Sequence, residues 1–244
     1  MAWLFGSSKR AVRQRVAREH NGTIVQARGG GAVVLVPRGR WYIVFDFDTP
    51  EGSPPNPFFG ERQATRIGVP FTCRIPFVWS LRRRPIVGDA ISRQRRKLEP
   101  EGEDALDGFL RRLESELKPP AIPLGYGDFD YEFNIDTNDE DRLRELLADA
   151  DLRRSLQALP SVSLKATRDD EWFDLITEGQ TEDLAMLYCQ LDGTVKDNAL
   201  LRDLSRLLET IVGRMASMGV AEPARTERYL EAGLPPDADE AGTP

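Results

Sequence analysis

Gly127-Asp128-Phe129-Asp130-Tyr131-Glu132-Phe133-Asn134-Ile135-Asp136-Thr137-Asn138-Asp139-Glu140 opens the stretch whose reading decides the fold. Phe129, Tyr131, Phe133 and Ile135 alternate with Asp130, Glu132, Asn134 and Asp136. That period of two predicts a strand with one apolar and one polar face. Thr137 and Glu140 have the spacing of a capping box, and the helix behind them carries Leu143, Leu146 and Leu147 inward. A leucine- and arginine-rich run continues to Leu159-Pro160, and Ser161 to Thr167 alternates again through Val162, Leu164 and Ala166. The pattern is strand, helix, helix, strand.

Toward the C-terminus, Asp169-Asp170 predicts a turn, and Trp172 to Ile176 and Leu184 to Leu191 predict two further strands. From Asp197 to Met218, Leu200, Leu201, Leu204, Leu207, Leu208, Ile211, Val212, Met215 and Met218 recur at helical spacing. That stripe is wide enough to cover a sheet. From Glu222 the chain turns to Pro, Ala, Glu and Asp, the composition of a poorly ordered tail.

Toward the N-terminus, Pro119-Pro120 and Pro123 mark a linker, preceded by a predicted helix through Leu106, Phe109, Leu110, Leu113 and Leu117. Before it, a basic run from Arg82-Arg83-Arg84 to Lys97 meets an acidic run from Glu99 to Asp107, a pattern typical of a solvated connector. Phe71, Cys73, Ile75, Phe77, Trp79 and Leu81 alternate as a long strand or bent hairpin, with Pro70 and Pro76 favouring an edge or a bulge. Pro50 to Gly60 is a loop. Trp41, Ile43, Phe45 and Phe47 share one strand face, and Thr23–Arg28 with Ala32–Pro37 form a hairpin around Gly29-Gly30-Gly31. These glycines lead into a strand, whereas a phosphate-binding loop leads into a helix. Ser7 or Ser8 is expected to cap a first helix, with Val12, Val16 and Ala17 inward, Arg10, Arg13, Arg15 and Arg18 outward, and its end at Asn21-Gly22.

The chain has 244 residues, 40% hydrophobic and 30% charged, a mean hydropathy of −0.43 and a net charge of −7. Such a composition predicts a globular protein without general nucleic-acid affinity. No apolar run reaches the roughly 20 residues that span a bilayer. The apolar Trp3-Leu4-Phe5 precedes the basic residues, the reverse of a secretory signal, so a cytoplasmic location is expected. Contact with a membrane surface through this start and the arginines stays open. Cys73 and Cys189 sit in apolar runs and read as buried reduced thiols. His20, the single histidine, reads as a surface or helix-terminal residue and cannot build a metal site with two such cysteines. No cofactor is implied.

Phe45-Asp46-Phe47-Asp48-Thr49, after an apolar strand, resembles the nucleophile motif of the haloacid-dehalogenase-like phosphohydrolases. That resemblance implies a magnesium-dependent enzyme with Asp46 as nucleophile and Asp48 as acid/base. The chain departs from the motif at Pro50, where the family has threonine or valine, and in the proline-rich loop that replaces a helix. The other reading puts Asp46 and Asp48 on the solvent face of a half-exposed strand. Asp128, Asp130, Glu132, Asp136, Asn138, Asp139 and Glu140 lack the alternation, central glycine and final glutamate of a calcium loop.

A second resemblance covers 121–219. Gly127-Asp128-Phe129-Asp130-Tyr131-Glu132-Phe133, Asn138-Asp139-Glu140, Leu146-Leu147-Ala148-Asp149 and Leu152-Arg153-Arg154-Ser155-Leu156 resemble a set of uncharacterised bacterial cytosolic proteins. The set implies domain identity and carries no activity.

The sequence therefore predicts an α+β protein in which helices cover antiparallel sheets. It falls into two closely packed halves, 1–118 and 119–221, and a tail, 222–244. The expected function is that of a non-enzymatic binding or scaffold protein. Arg82, Arg83 and Arg84 are candidate binding residues, and the partner is another protein or a second copy. The alternative is the phosphohydrolase through Asp46 and Asp48.

Overall fold

In the computed structural model, residues 3–26, 32–47, 64–84, 122–159, 163–168, 183–192, 195 and 197–224 are described. They form α1 (Trp3–His20), β1 (Thr23–Gln26), β2 (Ala32–Arg38), β3 (Trp41–Asp46), β4 (Ala64–Cys73) and β5 (Trp79–Arg83). After these come α2 (Asp128–Glu132), β6 (Phe133–Thr137), α3 (Glu140–Leu146), α4 (Ala150–Ala158), β7 (Ser163–Thr167), β8 (Leu184–Asp192), α5 (Asn198–Ser217) and β9 (Ala221–Pro223). The predicted turns at Gly29–Gly31 and Asp169-Asp170, the loop 50–60, the basic run beyond Arg84, the helix through Leu113, the strand from Trp172 and the tail beyond Ala224 lie outside the described residues.

The strands form one sheet in the order β1-β2-β3-β4-β8-β7-β5-β6, antiparallel throughout, with β9 paired to β4. Strands from before and after 119–123 interleave in it: β5 lies between β7 and β6, and β4 pairs with β8. The α+β class and the antiparallel arrangement are as expected. The alternation is why: one face of each strand is apolar, and antiparallel pairing lets those faces coincide.

Helices lie on that face. Asp197 caps α5 by accepting from the Ala199 and Leu200 amides, and Leu201, Leu204, Leu208, Ile211, Val212 and Met215 are buried against β4, β8 and β9. Burying each such side chain contributes about 1.5–3 kcal/mol. Met218 and Gly219 (φ +72°) end the helix, and the Val220 amide reaches back to the Met215 carbonyl. The chain thereby turns straight into β9, so Glu222 and Pro223 belong to the sheet rather than to the tail. At the other end of the chain, α1 buries Val12 and Val16. It begins at Trp3, so Ser7 and Ser8 lie within the helix and do not cap it.

Two further local expectations are corrected around β6. Asp128–Glu132 is a helical turn, not a strand: the Asp130 carboxylate accepts from the Gly125 and Tyr126 amides at 2.7 and 3.1 Å and folds the loop onto it. Phe129 and Phe133 then stack at 4.6 Å while Tyr131 stands 67% exposed, and the predicted alternation holds only from Phe133. Asp139, not Thr137, caps α3, because its carboxylate accepts from the Arg142 amide at 3.0 Å, while the Thr137 hydroxyl is held by Val78 and Asp139. Leu143, Leu146 and Leu147 are buried as expected, and α4 has its own cap in Asp149.

Pro70 is not in an edge strand. Cys73 donates its amide to the Asp183 carbonyl, on the side of β8, so even-numbered positions of β4 face the opposite flank. There β3 pairs Arg66–Gly68 and β9 pairs Phe71–Cys73, and Pro70 falls in the gap between them. Its missing donor leaves no ladder bond unmade. Pro76 lies in the bend between β4 and β5.

Candidate functional site

The sheet face opposite the helices is apolar on β2 and β3 and carries the polar alternates of β5, β6 and β7. Pairing registers align them into rows across the sheet. One row runs Asp46, Arg66, Gln190, Ser163, Arg82, Asn134. The next runs Val44, Gly68, Tyr188, Lys165, Ser80, Asp136. Residues opposite one another in such rows have Cβ atoms about 5 Å apart, so each row is a continuous surface.

The face changes character along its length. At its β1–β3 end Val33, Leu35 and Val44 are buried together with Met186 of β8, packed with Val25, Leu184 and Tyr188. From β8 to β6 it opens: Gln190, Ser163, Arg82, Asn134 and Asp136 are exposed, and Tyr188, Lys165 and Ser80 half-buried. Arg82, exposed, and Lys165, half-buried, make no ion pair or side-chain hydrogen bond among the described residues. Gly68 leaves a flat spot between Val44 and Tyr188.

Asp46 is not on a solvent face. It is 5% exposed at the end of β3, directly across from Arg66 in the ladder. Asp48 lies outside the described residues. The three arginines separate. Arg82 stands on the open face. Arg83, on the other face, gives its guanidinium to the Gln157 carbonyl (2.8 Å), the Leu159 carbonyl and the Glu132 carboxylate (3.1 Å). Gln157 donates to the other Glu132 oxygen at 3.0 Å, so Arg83 ties β5 to α2 and α4. Arg84 extends β5, its amide donating to the Glu132 carbonyl at 2.8 Å.

The acids of 128–140 are likewise dispersed: Asp130 holds the Gly125 loop, Glu132 holds Arg83, Asp136 joins the open face and Asp139 caps α3. Among the described residues no group of three or more His, Cys, Asp or Glu side chains is placed to hold a metal ion. His20, expected at a surface or helix end, is at the helix end but buried, tilted against Phe45 with ring centroids 5.6 Å apart. Cys73 and Cys189 are free and buried, and burial pushes the Cys189 thiol up to about 12. Among the described residues no helix is long and apolar enough to cross a membrane.

Of the open face, sequence reasoning singled out Arg82 for its place in a basic run. Asn134, Asp136, Ser163, Lys165 and Gln190 each occupy the polar side of an alternating strand, a visible signal. Nothing in the sequence tells which strands lie side by side. No family model, curated protein or solved structure matches the chain.

Proposed function

We propose that this chain is a non-enzymatic binding protein whose open sheet face, from β8 to β6, docks another protein. The carrying observation is the contiguous row Gln190–Ser163–Arg82–Asn134 beside Lys165–Ser80–Asp136, with two cations whose donors are unspent. Unspent donors on a rigid sheet cost little to order on binding and select a partner surface offering carboxylates and carbonyls.

The phosphohydrolase alternative rests on Asp46. Burial at the end of β3, opposite Arg66 in the ladder, suits a structural carboxylate better than a metal-binding nucleophile. A cross-linking pull-down with the full chain and with an Arg82→Glu/Lys165→Glu variant tests the binding reading. A specific partner retained by the first and lost by the second supports it. Equal capture by both overturns it. Magnesium-stimulated hydrolysis of an aryl phosphate, abolished by Asp46→Asn, would establish the enzyme instead.

A further inference from the structure

Among the described residues the sheet ends at β6, and the backbone there is arranged for addition of another strand. The Asn138 amide donates to the Val78 carbonyl and the Arg84 amide to the Glu132 carbonyl, at 3.1 and 2.8 Å. In an antiparallel ladder these bonds place the even-numbered positions of β6 toward β5. Phe133, Ile135 and Thr137 therefore direct their backbone groups away from the sheet. Among the described residues β6 pairs with β5 alone. Proteins commonly blunt such an edge with lysine, proline or a bulge. The strand Phe133-Asn134-Ile135-Asp136-Thr137 has none of these.

We infer that β6 pairs antiparallel with β6 of a second copy, about a two-fold axis through Ile135. Parity selects the register. Only odd-numbered positions offer outward backbone groups, so odd must lie opposite odd, which puts the axis through a residue rather than between two. An axis through Ile135 pairs all five residues of the strand, whereas one through Asn134 or Asp136 pairs three. In that register Asn134 of each copy lies opposite Asp136 of the other, on the exposed face. An amide donor meets a carboxylate acceptor twice. On the helix side Ile135 lies opposite its symmetry mate and Phe133 opposite Thr137. Phe133 and Ile135 are already buried within the protomer, so the backbone ladder and the Asn134–Asp136 pairs carry the junction. Tyr131 stands exposed on the turn leading into this edge and adds the kind of aromatic side chain that interfaces favour. The strand's self-complementarity is what identifies the occupant as a second copy.

The pairing is independent of the open-face reading, since it is read on the purified chain with no partner added. Sedimentation of the full chain at low ionic strength is expected to show a species of twice 27.4 kDa. Asn134→Asp sets like charges opposite at both positions and is expected to weaken the dimer about tenfold. Adding Asp136→Asn to that variant exchanges the two side chains, restores an amide opposite each carboxylate and is expected to recover the dimer. Both positions are exposed, so the fold is retained. A monomer at about 100 µM overturns the inference. So does a dimer indifferent to Asn134→Asp, or one that the exchanged pair fails to restore.

Discussion

Arg38 donates through Nη2 to Nδ1 of His20 at 3.0 Å, joining the end of β2 to the end of α1. Arginine cannot accept a hydrogen bond, so Nδ1 must be the bare nitrogen and the ring is neutral with its proton on Nε2. Burial, and then the Arg38 charge, hold the His20 pKa below its ordinary 6.5. The unfolded chain thus binds the proton more readily than the folded one. The stability this contributes is complete above pH 6.5 and is lost as pH falls below it toward the folded pKa. Thermal melts between pH 7.5 and 5.5 are expected to shift downward for the native chain. In His20→Gln, which keeps an acceptor for Arg38 without a titrating ring, the shift flattens. With one histidine in the chain, the difference between the two curves isolates this group.

The end of α1 separates two roles that an Asn-Gly pair usually blurs. Asn21 holds the left-handed position at φ +54°, and the Gly22 amide closes onto the Ala17 carbonyl at 2.7 Å. Gly22 is needed for close approach: a Cβ there would come 2.8 Å from the Leu35 carbonyl oxygen and 2.8 Å from Val36 Cγ2. Gly22→Ala is expected to destabilise by about 2 kcal/mol through displacement of β2. Asn21→Gly should change stability by less than about 1 kcal/mol. Urea denaturation of both variants checks the contrast.

Adjacent arginines should behave oppositely. Arg83→Ala leaves the Gln157 and Leu159 carbonyls and one Glu132 oxygen without their donor, with an expected loss of about 2 kcal/mol. Arg83→Lys should recover little of it, because a single ammonium cannot reproduce the planar fork. Arg82→Ala, on the open face, should lie within about 0.5 kcal/mol of the native chain. Equal losses at the two positions would show that Arg82 has a structural role.

The thiols should be silent in the folded protein. Cys189 is fully buried with its pKa raised to about 12, and Cys73 is buried with its Sγ donating to the Ile75 carbonyl at 2.9 Å. Alkylation by iodoacetamide at pH 8 is expected only on unfolding, so labelling should track denaturant rather than time. Fast native labelling of either residue would contradict this packing.

Long periodic segments were legible from residue order. The stripe from Leu200 to Met215 announced α5, and Trp41–Phe45 announced β3. At Phe129–Glu132 the alternation misled, because positions i and i+4 of a helical turn and i, i+2, i+4 of a strand both select Phe129 and Phe133. The deciding contact is the Asp130 carboxylate on the Gly125 and Tyr126 amides, and hydrogen bonding to preceding amides leaves no periodic mark. The cap at Asp139 was missed for a similar reason: Thr137 had the right spacing, but its hydroxyl was already held by Val78 across the ladder. As to the candidate site, Arg82 could be named but not told apart from Arg83, whose partners on α4 are 74 and 76 residues away.

Sequence by itself determined which residues are apolar on which side of each element, and hence the α+β class and its helix-covered antiparallel sheet. These follow from backbone periodicity, which is local. Only the tertiary structure decided that the described strands share one sheet and that Asp46 is buried opposite Arg66. It alone aligned Gln190, Ser163, Arg82 and Asn134 in one row. Strand order and register are set by which apolar faces fill the common core together, and that depends on every element at once.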